Sequence, residues 1–342
     1  MMYMKLSRIN SLKLAVAGTL FSITWAGLQA QIPTFRQQYT QRINANPAMI
    51  GMGVYNGGQM GRAAMTTRAQ WLSQEGRLLT QSAGYDTKIK NTMASWAGGV
   101  TATDLYSGMA GSAKYSHFIG SAAYAYEIPG RKVSARFGLI TQFSSYSFGT
   151  GKYTWEDQVD QNFTGFILPT QEPNSTLVRN AFHVGAGAML YNNKFFSGLS
   201  VYNLNQPDIA IIAGSESKLL TKFQFVSGYV LDNLLENVTI TPHVLVMQQA
   251  GLNSSTINAL FTLNNLQFST GVQRTQFYDK RNVSMTNYVG YHYGKINLGY
   301  SLDWNLTYST GAIPMTHEIS VVWFTNSAEP KRKMHQARLP EF

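Results

Sequence analysis

The chain is 342 residues long, 44% hydrophobic and 13% charged, where an ordinary soluble domain carries about 25% charged residues. It has no cysteine, which excludes a disulfide framework, a thiol catalyst and any Cys-ligated metal site. The formal charge of +10 comes from scattered basic residues, and in an exported chain this does not point to nucleic acid.

Export is read from the first 30 residues. Lys5, Arg8 and Lys13 form a basic start, Leu14 to Ile23 a short apolar core, and Leu28-Gln29-Ala30 precedes an expected cut before Gln31. The core is too short for a membrane span of about 20 residues, so residues 1–30 are expected to be a cleaved signal peptide. The segment 31–58 is polar and aromatic and contains Asn46-Pro47. It is expected on the periplasmic side, plugging a lumen or lining its periplasmic face.

Strands are expected at 59–71, 79–88, 93–103, 111–127, 132–146, 180–192, 194–203, 219–231, 237–249, 256–264, 266–277, 283–293, 295–308 and 314–325. The clearest is 295–308. Ile296, Leu298, Tyr300, Leu302, Trp304, Leu306 and Tyr308 share one face, and Lys295, Asn297, Gly299, Ser301, Asp303, Asn305 and Thr307 the other. Strict period 2 is the strand period, and the run exceeds the roughly 9–11 residues that cross a membrane. Val133, Ala135, Phe137, Leu139 and Phe143 oppose Arg136 and Gly138 in the same manner. Every second connection is tight, as at Pro129-Gly130, Asn192-Asn193, Asn264-Asn265 and Gly294, while the others are mostly longer. Short periplasmic turns, longer extracellular loops and an even strand number describe an all-β, antiparallel, up-and-down transmembrane β-barrel of about 14 strands over 59–326. A soluble sandwich would show shorter strands at 8–12-residue spacing. The expected location is the outer membrane of a Gram-negative cell.

Chemistry-bearing groups are sparse. Arg136, Asp303 and Glu318 share parity with the small polar face and are expected in the lumen. His317 and Glu318 are adjacent, so they point to opposite faces and build no joint site. Glu156, Asp157 and Asp160 lack the spacing of a calcium loop and read as a solvated loop. The His residues show no metal-binding spacing, and no G-x-S-x-G turn is present. No metal, cofactor or catalytic residue is expected. After the last strand, 327–342 is a basic tail with Lys331, Arg332, Lys333 and Arg338, ending in Phe342; it is expected in the periplasm as a docking peptide.

Phe35-Arg36-Gln37-Gln38-Tyr39 followed by Asn44-Ala45-Asn46-Pro47-Ala48 resembles the opening of the PorP/SprF family. Arg68-Ala69-Gln70-Trp71 is similar to its R-x-Q-W on the first strand. Gly187 to Asn192 with Phe196 to Ser200 resembles its central hairpin, Gly299 to Asp303 its Y-S-Y-D strand, and Thr316 to Ile319 its S-H-E-I strand. Leu339-Pro340-Glu341-Phe342 resembles its C-P-x-F ending, with Leu in place of Cys. The resemblance covers nearly the whole mature chain in order. It implies an outer-membrane component of the type IX secretion system of Bacteroidetes, linked to periplasmic ring lipoproteins, a peptidoglycan-associated lipoprotein and large secreted cargo such as adhesins.

The expected function is therefore a non-enzymatic barrel that supports export or surface anchoring of large proteins, in a gliding and secretion apparatus. Arg68 and Trp71 are expected as a structural pair. Phe35, Tyr39, Asn46 and Pro47 are expected, with the tail, as partner contacts. A porin or small-solute channel is the alternative class, and a membrane hydrolase a third.

Overall fold

The computed structural model describes residues 35–52, 59–72, 77–89, 95–108, 114–149, 176–211, 215–235, 238–278, 280–307 and 315–326. Its antiparallel strands follow chain order: β1 (Gln59–Gln70), β2 (Leu78–Lys88), β3 (Ser95–Gly108), β4 (Lys114–Ile128), β5 (Ser134–Gly149), β6 (Thr176–Tyr191), β7 (Phe195–Tyr202), β8 (Lys222–Tyr229), β9 (Leu231–Leu235), β10 (Val238–Gln249), β11 (Leu252–Leu263), β12 (Leu266–Phe277), β13 (Lys280–Tyr293), β14 (Ile296–Asn305) and β15 (Met315–Asn326). β8 and β9 both pair with β10 and part at Val230, so they form one interrupted stave. β1 pairs with β15 along its length, which closes the sheet into a 14-stave barrel. Closure is what lipid demands, since an open edge would leave backbone N–H and C=O groups unpaired in hydrocarbon.

Exposure is inverted relative to a soluble domain. Leu139 (67% exposed) and Ile257 (68%) point outward, while Thr66, Ser82, Gln142, Ser254 and Thr286 are buried on the inner face. Exposed aromatics gather at both ends: Trp96, Tyr291, Tyr293 and Trp323 where the chain enters β1, and Trp71, Tyr106, Tyr278 and Trp304 at the opposite end. These are the girdles expected at two membrane interfaces.

All fourteen expected strands form, and the differences lie at their ends. β11 begins at Leu252 rather than 256, and β6 at Thr176 rather than 180. Asn253, Ser254 and Ser255 look like a loop by polarity, yet each pairs with both β10 and β12. A lumen-facing position tolerates Ser and Thr as well as a loop does. The connection there shrinks to Ala250-Gly251, with Ala250 in the left-handed region at φ 52°. Residues 1–30, Glu156, Asp157, Asp160 and the tail 327–342 lie outside the described residues.

The inner wall carries a bare patch on two neighbouring strands. Gly138 on β5 and Gly187 on β6 are register partners and share the lumen face. Side by side they expose backbone without side chains, which lets another piece of chain approach closely.

Candidate functional site

That piece is residues 35–52, which lie inside the barrel. A short helix α1 (Arg42–Ala45) leads through Asn46 into a single 3-10 turn, Pro47–Met49. Proline suits the first position of such a turn, because its missing N–H would have no partner there. The Asn46 side chain accepts from Ala48 N at 2.9 Å and donates to Leu199 O at 3.1 Å, so one residue caps the turn and ties it to β7. A Cβ on Gly138 would overlap the backbone of Pro47 and Ala48, and one on Gly187 would overlap Asn46 and Pro47. The plug is also apolar on two sides. Tyr39, Ala48, Met49 and Met52 pack with Met189, Phe196 and Tyr288, and Ile43 and Ile50 pack with Ala97, Ala123 and Ile140.

Charged groups of the wall grip both ends of this plug. At the upper end Glu318 accepts from the backbone N–H of Arg36 (2.7 Å) and Gln37 (2.8 Å) and from Arg68 Nη1 (3.0 Å). Asp303 accepts from Arg36 Nε (2.8 Å) and Nη2 (2.7 Å), a bidentate contact, and lies 3.4 Å from Arg68 Nη2. At the lower end Asp86 accepts from Gly51 N (2.8 Å) and Arg62 Nε (3.0 Å), with Arg42 Nη1 at 3.6 Å. Arg62 also donates to the carbonyls of Tyr39 and Thr40. Arg136 donates to the carbonyls of Ala48 and Ile50 and pairs with Glu127, which also faces Lys88. Fixed backbone donors on a buried carboxylate are charge-assisted bonds, stronger than neutral ones.

Between plug and wall, beside Arg36, Gln37, His243 and Tyr288, a cavity of about 20 Å³ remains, room for roughly one water. At the same end of the barrel as Glu318 and Asp303, the connection between β7 and β8 also folds inward. Ile209 and Leu219 pack on Tyr146 and Ala181, and Arg179 pairs with Asp208 at 2.9 Å. The backbone N–H groups of Ser217 and Ala210 hold Asp208 below the usual carboxylate range.

The expected site residues separate into four groups. Arg68, Arg136, Asp303 and Glu318 stand on the lumen face, and all four contact one another's partners or the plug. Trp71 does not pair with Arg68. Trp71 follows the last residue of β1 with φ 57° and its ring exposed, while Arg68 is buried on the lumen face. Phe35, Tyr39, Asn46 and Pro47, expected as partner contacts, are buried against the chain's own wall, and their segment occupies the lumen. Lys331, Arg332, Lys333, Arg338 and Phe342 lie outside the described residues. The sequence reading missed Arg36, Arg62, Asp86, Glu127 and the Gly138–Gly187 bed. Parity alone would have put Arg62 in the lumen with Arg68.

Asn46→Ala removes the cap and the bonds to the wall together. It is expected to lower stability by about 2 kcal/mol, read as a lower temperature for loss of the compact band on unheated SDS gels.

Residues 27–323 match the profile of a family described as type IX secretion system membrane protein PorP/SprF. No curated protein sequence matches the chain. Among solved structures, the toluene transporter TbuX of Ralstonia pickettii is 10% identical with a TM-score of 0.51, covering 84% of this chain and 93% of that one. The monoaromatic hydrocarbon channel CymD is 10% identical at TM-score 0.47 (88% and 95% covered), and the P. putida toluene transporter TodX 9% at 0.46 (82% and 92%). At such identity the TbuX likeness shows an outer-membrane barrel fold and nothing of the ligand.

Proposed function

We propose, since the chain belongs to the PorP/SprF family of type IX secretion system membrane proteins, that this outer-membrane barrel is a non-enzymatic part of the secretion assembly whose lumen is kept shut. It would help export or anchor large secreted proteins such as adhesins at the surface of a Bacteroidetes-type cell. The tight-turn end would face the periplasm and the longer loops the exterior. The observation that carries this reading is the plug: residues 35–52 fill the lumen and are held by Glu318, Asp303, Asp86 and Arg136. A barrel filled by its own chain has its ends left for contacts. The partners would be periplasmic ring lipoproteins, a peptidoglycan-associated lipoprotein and the cargo itself.

Two measurements test this. Purified protein in planar bilayers is expected to give no steady ion conductance, and a steady open pore would favour the porin reading. Deleting 329–342 is expected to reduce recovery of periplasmic partners while the barrel still assembles. If recovery and secretion are unchanged, the tail has no docking role.

A further inference from the structure

A pocket of about 250 Å³ opens at the tight-turn end, between the turn after β4 and the turn after β6. Lys132, Lys194, Asn192, Asn193, Tyr191 and Tyr229 line it, and among the described residues no carboxylate does. Neither lysine has an ion-pair partner within 4 Å among the described residues. Two cations lining one cavity, with no carboxylate within 4 Å of either among the described residues, favour an anionic occupant.

The turns that carry these lysines are fixed. Asn192 Oδ1 accepts from Lys194 N and Phe195 N, both at 2.8 Å, and Val230 N donates to Lys194 O at 2.6 Å. On the other side Gly130 N donates to Ser134 Oγ at 3.3 Å. Turn backbones held in this way give the pocket a shape before anything binds, which lowers the ordering cost of binding.

The surroundings identify the anion. Tyr229 points outward and is 45% exposed, and the outward side chains near the same rim are Ile128, Val133 and Leu190, each about half exposed. Of these outward side chains Tyr229 lines the pocket itself, so the pocket opens at the rim beside the lipid-facing wall. Its volume is below the roughly 300–1,000 Å³ of sites that enclose a whole ligand, so it suits a headgroup whose chains remain in the bilayer.

We infer that this pocket holds the phosphate of a phospholipid headgroup, with Lys132 and Lys194 as its two cationic partners. The orientation proposed above decides only which leaflet supplies the lipid, and binding in detergent is independent of it and of any secretion role.

The test is native mass spectrometry of the delipidated full-length barrel, titrated with phosphatidylethanolamine, phosphatidylglycerol and a diacylglycerol of the same chains, with inorganic phosphate as a competitor. The wild type is expected to retain one phospholipid and little diacylglycerol. Lys132→Ala with Lys194→Ala is expected to bind phospholipid at least about tenfold more weakly, the loss of a charged hydrogen bond. Lys295→Ala, in another turn of the same rim, is expected to bind as the wild type. The lipid assignment is overturned if the double variant keeps its affinity, if diacylglycerol binds equally well, or if inorganic phosphate binds and phospholipid does not.

Discussion

Glu318→Ala is expected to lower the stability of the barrel by about 3–5 kcal/mol and to release the upper end of the plug. The Glu318 side chain is 1% exposed and accepts from two plug N–H groups and Arg68. Removing it leaves those donors buried without an acceptor. It also leaves Arg36 and Arg68 facing one carboxylate, Asp303, so a charge is uncompensated in a site with little water. Glu318→Gln keeps an acceptor oxygen and its shape but loses the charge, and should fall between the two. Urea unfolding followed by tryptophan fluorescence, with protease cleavage before β1, measures both effects. A Glu318→Ala barrel as stable and as protected as the wild type would mean that the carboxylate does not hold the plug.

Gly138→Leu is expected to turn a silent barrel into a conducting one. The new side chain would point into the lumen, where even a Cβ meets the backbone of Pro47 and Ala48. Those atoms cannot swing aside as the end of a side chain would, because Asn46 bonds the same turn to the wall and Arg136 holds the Ala48 carbonyl at 2.9 Å. Overpacking of this kind costs about 1–3 kcal/mol when the neighbours can shift; here they are held, so the cost is expected to be higher and to fall on the seating of the plug rather than on the paired wall. The wall should survive, since β5 is a 16-residue strand paired on both sides. Single-channel recording would show steady openings in the variant and none in the wild type. A silent variant with a native unfolding profile would mean that the plug reseats around the added side chain.

Period 2 made the staves legible in the sequence. Ile296 to Trp304 alternate without a break, and the strand Ile296–Asn305 stands there with its apolar side outward. The same parity put Arg136, Asp303 and Glu318 on the inner face. Register was not legible. Arg62 faces Asp86 and Glu127 faces Arg136 only once neighbouring strands are aligned, and a shift of one residue would undo both pairs. The plug was half legible. Residues 35–52 have no strand period, and their Gln, Asn and Arg suit water as well as a polar lumen. Polarity therefore could not separate a periplasmic segment from a lumenal one. The distinguishing mark was two glycines on adjacent strands, which become a bed for Asn46-Pro47-Ala48 only after β5 and β6 are paired. Trp71 failed for a local reason, since a left-handed residue at the end of β1 follows no strand parity.

On the proposed reading a shut barrel of the PorP/SprF family works through its ends and holds partners there. Affinity purification of the tagged protein from gently solubilised outer membranes, read by mass spectrometry, tests this most directly. Co-recovery of periplasmic ring lipoproteins or of one very large secreted protein is the predicted result. Recovery of the barrel alone, together with steady conductance in a bilayer, would contradict it and favour a solute channel.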